Sequence, residues 1–351
     1  MLRLGLLAVN ILIYTNVFGQ ISDYYQTAFN SSDATLKQEL HLIIRNHQAY
    51  SYTSSSTDVW DILKQTDQDT VNPNNVILIY SGRSVDAAQE YNGGQGWNRE
   101  HVWAKSRGDF GTSTGAGTDV HHLRPCDISV NSTRNNRNFD DCVSCIDVVD
   151  DGYQTGSKRD ANLWTFEPPD AVKGDVARMI FYMAVRYEGN GNEPDLELTN
   201  TLLSKSDKNP LQASLTTLLE WHRNDPVSDW ERNRNEIIYT KFQKNRNPFI
   251  DYPELAEYLW GNQIGNSWNP NVTSILELGN EQGLVYPNPT SGVVNIVSQF
   301  DHAILLDQYG HEIKIEFVQG SNDLSILSQG LYVLKLIKSD GQIQYQKILK
   351  I

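Results

Sequence analysis

The sequence predicts an α+β domain followed by a small all-β sandwich. Three observations carry this. Apolar residues recur at helical spacing after residue 170, while residues 91–140 are rich in Gly, Asn and Ser with weak periodicity. Residues 283–351 hold short strand-like runs and no Arg, Cys or Trp. At 351 residues and 39% hydrophobic, the chain is long enough for one large and one small domain, each with its own core.

Taken in order, residues 1–19 read as a signal peptide. Arg3 supplies the positive end, residues 4–18 are mainly apolar, and Val17-Phe18-Gly19 precedes a cleavage point before Gln20. The apolar run is too short and too interrupted to span a bilayer, and no other segment approaches the ~20 apolar residues required. Helices are expected over 33–47 and 56–65, and a short strand over 76–80. Pro168-Pro169-Asp170 reads as a helix start. After it, Val172, Val176, Met179, Ile180, Met183 and Tyr187 share one face. Leu211, Leu215, Leu218, Leu219 and His222 predict a second helix; Trp230, Ile237, Ile238 and Phe242 a third; residues 253–260 a fourth. The body is assigned to 20–262 and a polar linker to 263–282. The C-terminal domain, 283–351, has strands expected over 293–297, 303–306, 313–318, 331–337 and 343–349. Turns fall at Gly310, Gly330 and Ser339-Asp340-Gly341.

Composition narrows the partners. There are 29 Lys and Arg against 43 Asp and Glu, a net charge of −14. That excludes diffuse attraction to nucleic acid or anionic lipid, though not a local groove. Three cysteines are too few for a disulfide scaffold. Cys142 and Cys145 have no second pair to complete a structural zinc site. A local disulfide or buried thiols remain.

The central stretch departs from the global balance. Over 91–137 six cations (Arg99, Lys105, Arg107, Arg124, Arg134, Arg137) face four anions, a local balance of +2. Five are Arg, which suits bidentate phosphate contacts. Three blocks stand here: Asn98-Arg99-Glu100-His101-Val102-Trp103, Asp119-Val120-His121-His122-Leu123-Arg124-Pro125, and Val130-Asn131-Ser132-Thr133-Arg134. Phosphodiester hydrolysis needs a base for water and a cation for the leaving oxygen. A His beside a Glu, with an Asn later, supplies a base and two oxygen ligands of the kind Mg²⁺ prefers.

The order of these blocks resembles the endonuclease I family of secreted and periplasmic nucleases, which carry a ββα-metal, or His-Me finger, active site. Gly174-Asp175-Val176-Ala177-Arg178, Leu219-Glu220-Trp221-His222 and residues 245–251 extend the likeness. The resemblance implies a metal-dependent endonuclease with little sequence preference, acting on DNA and also on RNA. It implies His101 as general base, Glu100 and Asn131 as ligands of a single Mg²⁺ (with Mn²⁺ or Ca²⁺ as substitutes), and a 5′-phosphate product. Asp119 and His121 fall where support for these residues would lie. Arg99, Arg124 and Arg134 are candidate phosphate or transition-state contacts. Ala104 stands where the family commonly has Pro, and Cys126 where Ser is usual.

Tyr286-Pro287-Asn288-Pro289-Thr290-Ser291-Gly292, with residues 330–336 and 347–350, resembles the C-terminal sorting domain of type IX secretion. It implies export to the surface or medium and the type IX machinery as a partner. A monomer is expected. Two other readings compete. Gly111-Thr112-Ser113-Thr114-Gly115 fits the pattern of a serine acyl hydrolase, which requires a strand before it and a helix after. A non-enzymatic surface adhesin would need neither a metal nor His101.

Overall fold

The computed structural model describes residues 21, 23–270, 285–307, 312–338 and 343–351. The expected signal peptide, 1–19, and residues 271–282 of the expected linker lie outside them. The chain forms two compact units, residues 1–270 and 271–351.

In the first unit, α1 (Asp33–Ile44) and α2 (Val59–Thr66) come first. Asp58 starts α2 through a reciprocal capping box with Asp61, which satisfies amides that the first helical turn leaves open. A hairpin of β1 (Asn75–Ile77) and β2 (Ser84–Asp86) follows. The central stretch is then more ordered than its composition predicts. It contains β3 (Trp97–His101), β4 (Leu123–Asp127) and α3 (Ile128–Arg134). β3 and β4 pair antiparallel, with Glu100 opposite Arg124 and His101 opposite Leu123. No alternation marks these strands because β4 is buried along its whole length.

A four-stranded sheet comes next: β5 (Asn138–Phe139), β6 (Ile146–Asp150), β7 (Tyr153–Asp160) and β8 (Thr165–Glu167), in the order β5-β8-β7-β6. The next helix, α4 (Lys173–Arg186), is buried at every position after Lys173. Helix α4 is therefore the hub of the larger core, where Tyr182, Met183 and Val185 meet Leu40, Trp103 and Phe249 among others. Its buried charges are paired: Arg178 forks onto Glu231 at 2.6 and 2.8 Å, and Arg186 onto Glu193.

Leu211 does not begin a helix. It lies in β10 (Leu211–Gln212), parallel to β9 (Glu197–Leu198), and α5 runs over Leu215–Asn224. Then come α6 (Asp229–Lys241), α7 (Pro248–Asp251) and α8 (Leu255–Trp260). Ser228 and Glu231 form the capping box of α6; Asn247 caps α7 with Pro at its first position. Residues 263–270, expected in the linker, belong to the first unit. Trp268 is buried there against Phe29 and Tyr252, and its amide bonds to Ser31 O at 2.9 Å. A lone Trp among polar residues carries no periodicity, so the sequence hides this anchor.

Among the described residues, the second unit has two antiparallel sheets. One contains β11 (Val285–Tyr286), β12 (Val293–Ile296) and β15 (Gly320–Asp323). The other has β14 (Glu312–Ile313), β13 (His302–Leu306), β16 (Gly330–Ile337) and β17 (Ile343–Lys350), in that order. Val294, Ile296, Leu305, Leu334 and Leu336 join in its core. The expected strand at 313–318 shrinks to Glu312–Ile313. Gly320–Asp323, polar and unreadable as a strand, pairs with β12 instead.

Candidate active site

A cavity of about 650 Å³ opens beside β3 and α3. Glu100, His101 and Asn131 all line it, as do Arg99, Lys105, Tyr52, Trp60 and Tyr91. Strand β3 delivers Glu100 and His101, and α3, which follows β4 directly, delivers Asn131. The amide of Asn131 ties the helix to the strand: Nδ2 donates to Asn98 Oδ1 at 3.0 Å and to Arg99 O at 3.3 Å. With Nδ2 committed to the strand, Oδ1 is the amide atom left to face other partners.

His101 is 6% exposed. Its Nε2 lies 3.0 Å from Gly117 O, and a carbonyl can only accept, so Nε2 carries the proton and Nδ1 the lone pair. The ring stacks on Tyr52 (centroids 5.6 Å, planes at 23°). Burial, then the neighbouring His122, hold the imidazole well below its ordinary pKa of 6.5, so it is neutral at pH 7.

Glu100 is 2% exposed. Its Oε1 accepts from Tyr80 Oη at 2.9 Å and lies 3.3 Å from Arg134 Nη1. Burial outweighs both and pushes its pKa up to about 7. A carboxylate so buried on the wall of an open cavity is short of positive charge. A hard dication at Glu100 Oε and Asn131 Oδ1 fits that deficit, because both donors are oxygens.

The arginines divide. Arg99 stays at the cavity, its guanidinium between Tyr52 (3.4 Å to the ring centre) and Trp60 (4.0 Å), and bonded to Tyr52 O and Thr53 Oγ1. Arg124 does not reach it. Its Nε donates to Asp67 Oδ1 at 2.5 Å, its Nη1 lies 3.6 Å from Asp175, and Trp230 covers it. Arg134 is fully buried as well. It donates to His101 O at 3.0 Å and Val102 O at 2.6 Å, holding the strand that carries the reacting groups. Neither lines the cavity, so the expected phosphate contact finds no support in this geometry: aspartates and carbonyls distant in sequence claim the guanidinium groups.

Asp119 and His121 also lie away from the cavity. Asp119 accepts from Tyr182 Oη, Tyr187 Oη and Gln243 Nε2 at 2.8–3.0 Å; its carboxyl lies far below the usual range, opposed by burial but lowered by His47, His121 and His122. His121 turns to Asn245 O and Tyr182. The histidine beside His101 is His122, with ring centroids 5.6 Å apart and Nε2 donating to Ala116 O at 2.8 Å. Two adjacent histidines look alike in sequence, and only the direction in which each leaves the chain separates them.

Four further residues were not legible from the motifs: Tyr80 on Glu100, Tyr52 and Trp60 around Arg99, and Gly117 on His101. A Cβ on Gly117 would come within 2.6 Å of Ser113 O and 2.8 Å of Gly111 O. The Gly111–Gly115 stretch thus packs under the carbonyl that holds His101. It is preceded and followed by turns, without the strand and helix a serine hydrolase needs. Cys142 and Cys145 form a disulfide, and Cys126 is a buried free thiol.

The endonuclease I family model matches residues 32–254, and a secretion system C-terminal sorting domain matches 284–350. An extracellular ribonuclease of Bacillus subtilis is 50% identical over 245 residues, covering 69% of this chain and 80% of that protein. One from Bacillus amyloliquefaciens is 50% identical over 239 residues, covering 68% and 78%. Endonuclease-1 of Buchnera aphidicola is 29% identical over 134 residues, 38% of this chain and 46% of that one. No helix among the described residues is long and apolar enough to cross a membrane. The chain belongs to the endonuclease I family, as a secreted or cell-surface nuclease with a C-terminal type IX sorting domain.

Proposed function

We propose that this nuclease is a divalent-metal-dependent endonuclease, with β3, β4 and α3 as a ββα-metal (His-Me finger) site. The observation that carries it is the convergence of Glu100, His101 and Asn131 on one cavity. Glu100 and Asn131 would hold a single Mg²⁺, or Mn²⁺ or Ca²⁺ in its place. When bound, that ion supplies positive charge to the phosphate and to the leaving oxygen. Neutral His101, its Nε2–H held by Gly117 O, accepts the proton of the attacking water at Nδ1. Attack with departure on the 3′ side leaves a 5′-phosphate. Arg134 keeps His101 and Glu100 in register by holding the backbone of β3. Arg99 presents a pre-oriented cation to the strand. RNA is a substrate on the strength of the two ribonuclease relatives, and DNA on that of the resemblance to the endonuclease I family. Every residue invoked lies within residues 1–270, so one chain carries the whole site.

The test uses protein lacking residues 1–19, incubated with plasmid DNA and with RNA, in Mg²⁺ or in EDTA, beside His101→Ala. Cutting that requires both Mg²⁺ and His101 is expected. Cutting in EDTA would remove the metal from the scheme, and cutting by His101→Ala would remove the base.

A further inference from the structure

The cavity has few free charges for a nucleic acid to meet. Of the six cations in 91–137, Arg107, Arg124 and Arg134 are buried on other partners, and Arg137 lies on Trp164 and bonds to Thr133 O. Only Arg99 and Lys105 line the cavity, and Lys105 makes no ion pair among the described residues. Two cations do not grip the two phosphate rails of a duplex in a chain of net charge −14. Affinity must come from somewhere else on the wall.

Tyr91 offers it. Tyr91 lines the cavity, the residue is 55% exposed, and no other aromatic ring packs on it among the described residues. Its backbone sits at φ +48°, the left-handed region that tyrosine rarely adopts. The turn is built to hold it there. Tyr91 N donates to Trp97 O at 2.8 Å, and Tyr91 O accepts from Gly94 N at 2.8 Å and Gly96 N at 3.1 Å. A Cβ on Gly96 would fall 1.7 Å from Gln89 O, so the turn closes only with glycine at that position. An exposed ring fixed on a strained, tied turn at the mouth of the site is a face for another planar group.

We propose that Tyr91 stacks an unpaired nucleobase, so that the enzyme takes single-stranded nucleic acid in preference to duplex. A base within a duplex is stacked on both faces and cannot present one to Tyr91; a base in a single strand can. The inference rests on the nuclease reading, and the shared chemistry, an unpaired strand, covers both RNA and DNA.

Binding is measured with full-length mature His101→Ala protein, so that it is independent of cleavage. The probes are 2-aminopurine-labelled single-stranded DNA, the same sequence in RNA, and the DNA duplex. Stacking on Tyr91 quenches the fluorophore in both single strands. Adding Tyr91→Ala weakens their binding about tenfold, within the range of one lost base–aromatic stack, while Tyr91→Phe retains it. Duplex binding is weaker and unchanged by either substitution. Two neutralised phosphates give a salt slope of about −1.4. Unchanged single-strand affinity in Tyr91→Ala, tighter binding of duplex, or a slope steeper than about −4 would overturn the proposal. Wild-type protein that binds single strands through Tyr91 yet cuts none of them would instead defeat the nuclease reading alone.

Discussion

His101 Nε2 and Gly117 O lie 3.0 Å apart across a tight glycine-rich loop, and this single contact leaves Nδ1 as the ring nitrogen with the lone pair. His101→Ala is expected to lower kcat by about 10²–10⁴-fold, the usual contribution of a general base. Gly117→Ala should lower kcat too, because the new Cβ displaces the carbonyl, while the fold persists. Circular dichroism beside steady-state kinetics checks both. Wild-type kcat in Gly117→Ala would show that the contact does not orient the base.

Glu100→Gln and Asn131→Ala are expected to weaken metal dependence. The Mg²⁺ concentration for half-maximal activity rises at least tenfold in each, and EDTA abolishes activity of the wild type. Titration of activity against Mg²⁺ decides it. Unaltered half-saturation in both variants would place the ion elsewhere.

Arg134 and Arg124 separate by what they hold. Arg134→Met removes the tie between Glu100 and the carbonyls of His101 and Val102, so activity per folded molecule falls. Arg124→Met leaves buried Asp67 to Arg234 and Asp175 to Arg178, so stability falls by about 1–3 kcal/mol while activity per folded molecule is kept. Urea unfolding paired with kinetics distinguishes them. Loss of kcat in Arg124→Met without loss of stability would restore it to the site.

Acid should destabilise the protein through its buried histidines as pH falls below 6.5. Burial holds His121, His122 and His222 down to about 4, and lowers His41 and His47 as well. Between those values and the ordinary 6.5, the unfolded chain binds protons that the folded chain refuses. Stability is therefore present above pH 6.5 and is lost as pH falls toward 4. Asp175 and Glu100, both raised to about 7 by burial, run the other way over that window, as do Glu188 and Asp225, but the five histidines and His101 with them outnumber these four. Melting temperature measured from pH 7.5 to 4 should fall; a flat profile would contradict the buried-neutral histidines.

Much of this protein was legible in its residues alone. The chemistry-bearing groups are close in sequence: Glu100 and His101 are adjacent on β3, and Asn131 rides the helix that follows the partner strand without a loop. A local strand–strand–helix unit needs no distant contact to bring such residues together, so their order along the chain was enough to indicate the family and to bring the three to one cavity. The C-terminal motifs were equally local. What the tertiary structure alone decided was the fate of the polar side chains. Arg124 went to Asp67 and Asp175, Arg107 to Asp207 O and Asn136 O, and Asp119 to Tyr182 of α4 and Tyr187 just beyond it. His122 rather than His121 came to face His101, and Tyr91 was left exposed at the mouth. Buried charges take whichever partner best offsets the loss of water, and those partners lie tens of residues away, where spacing along the chain carries no record of them.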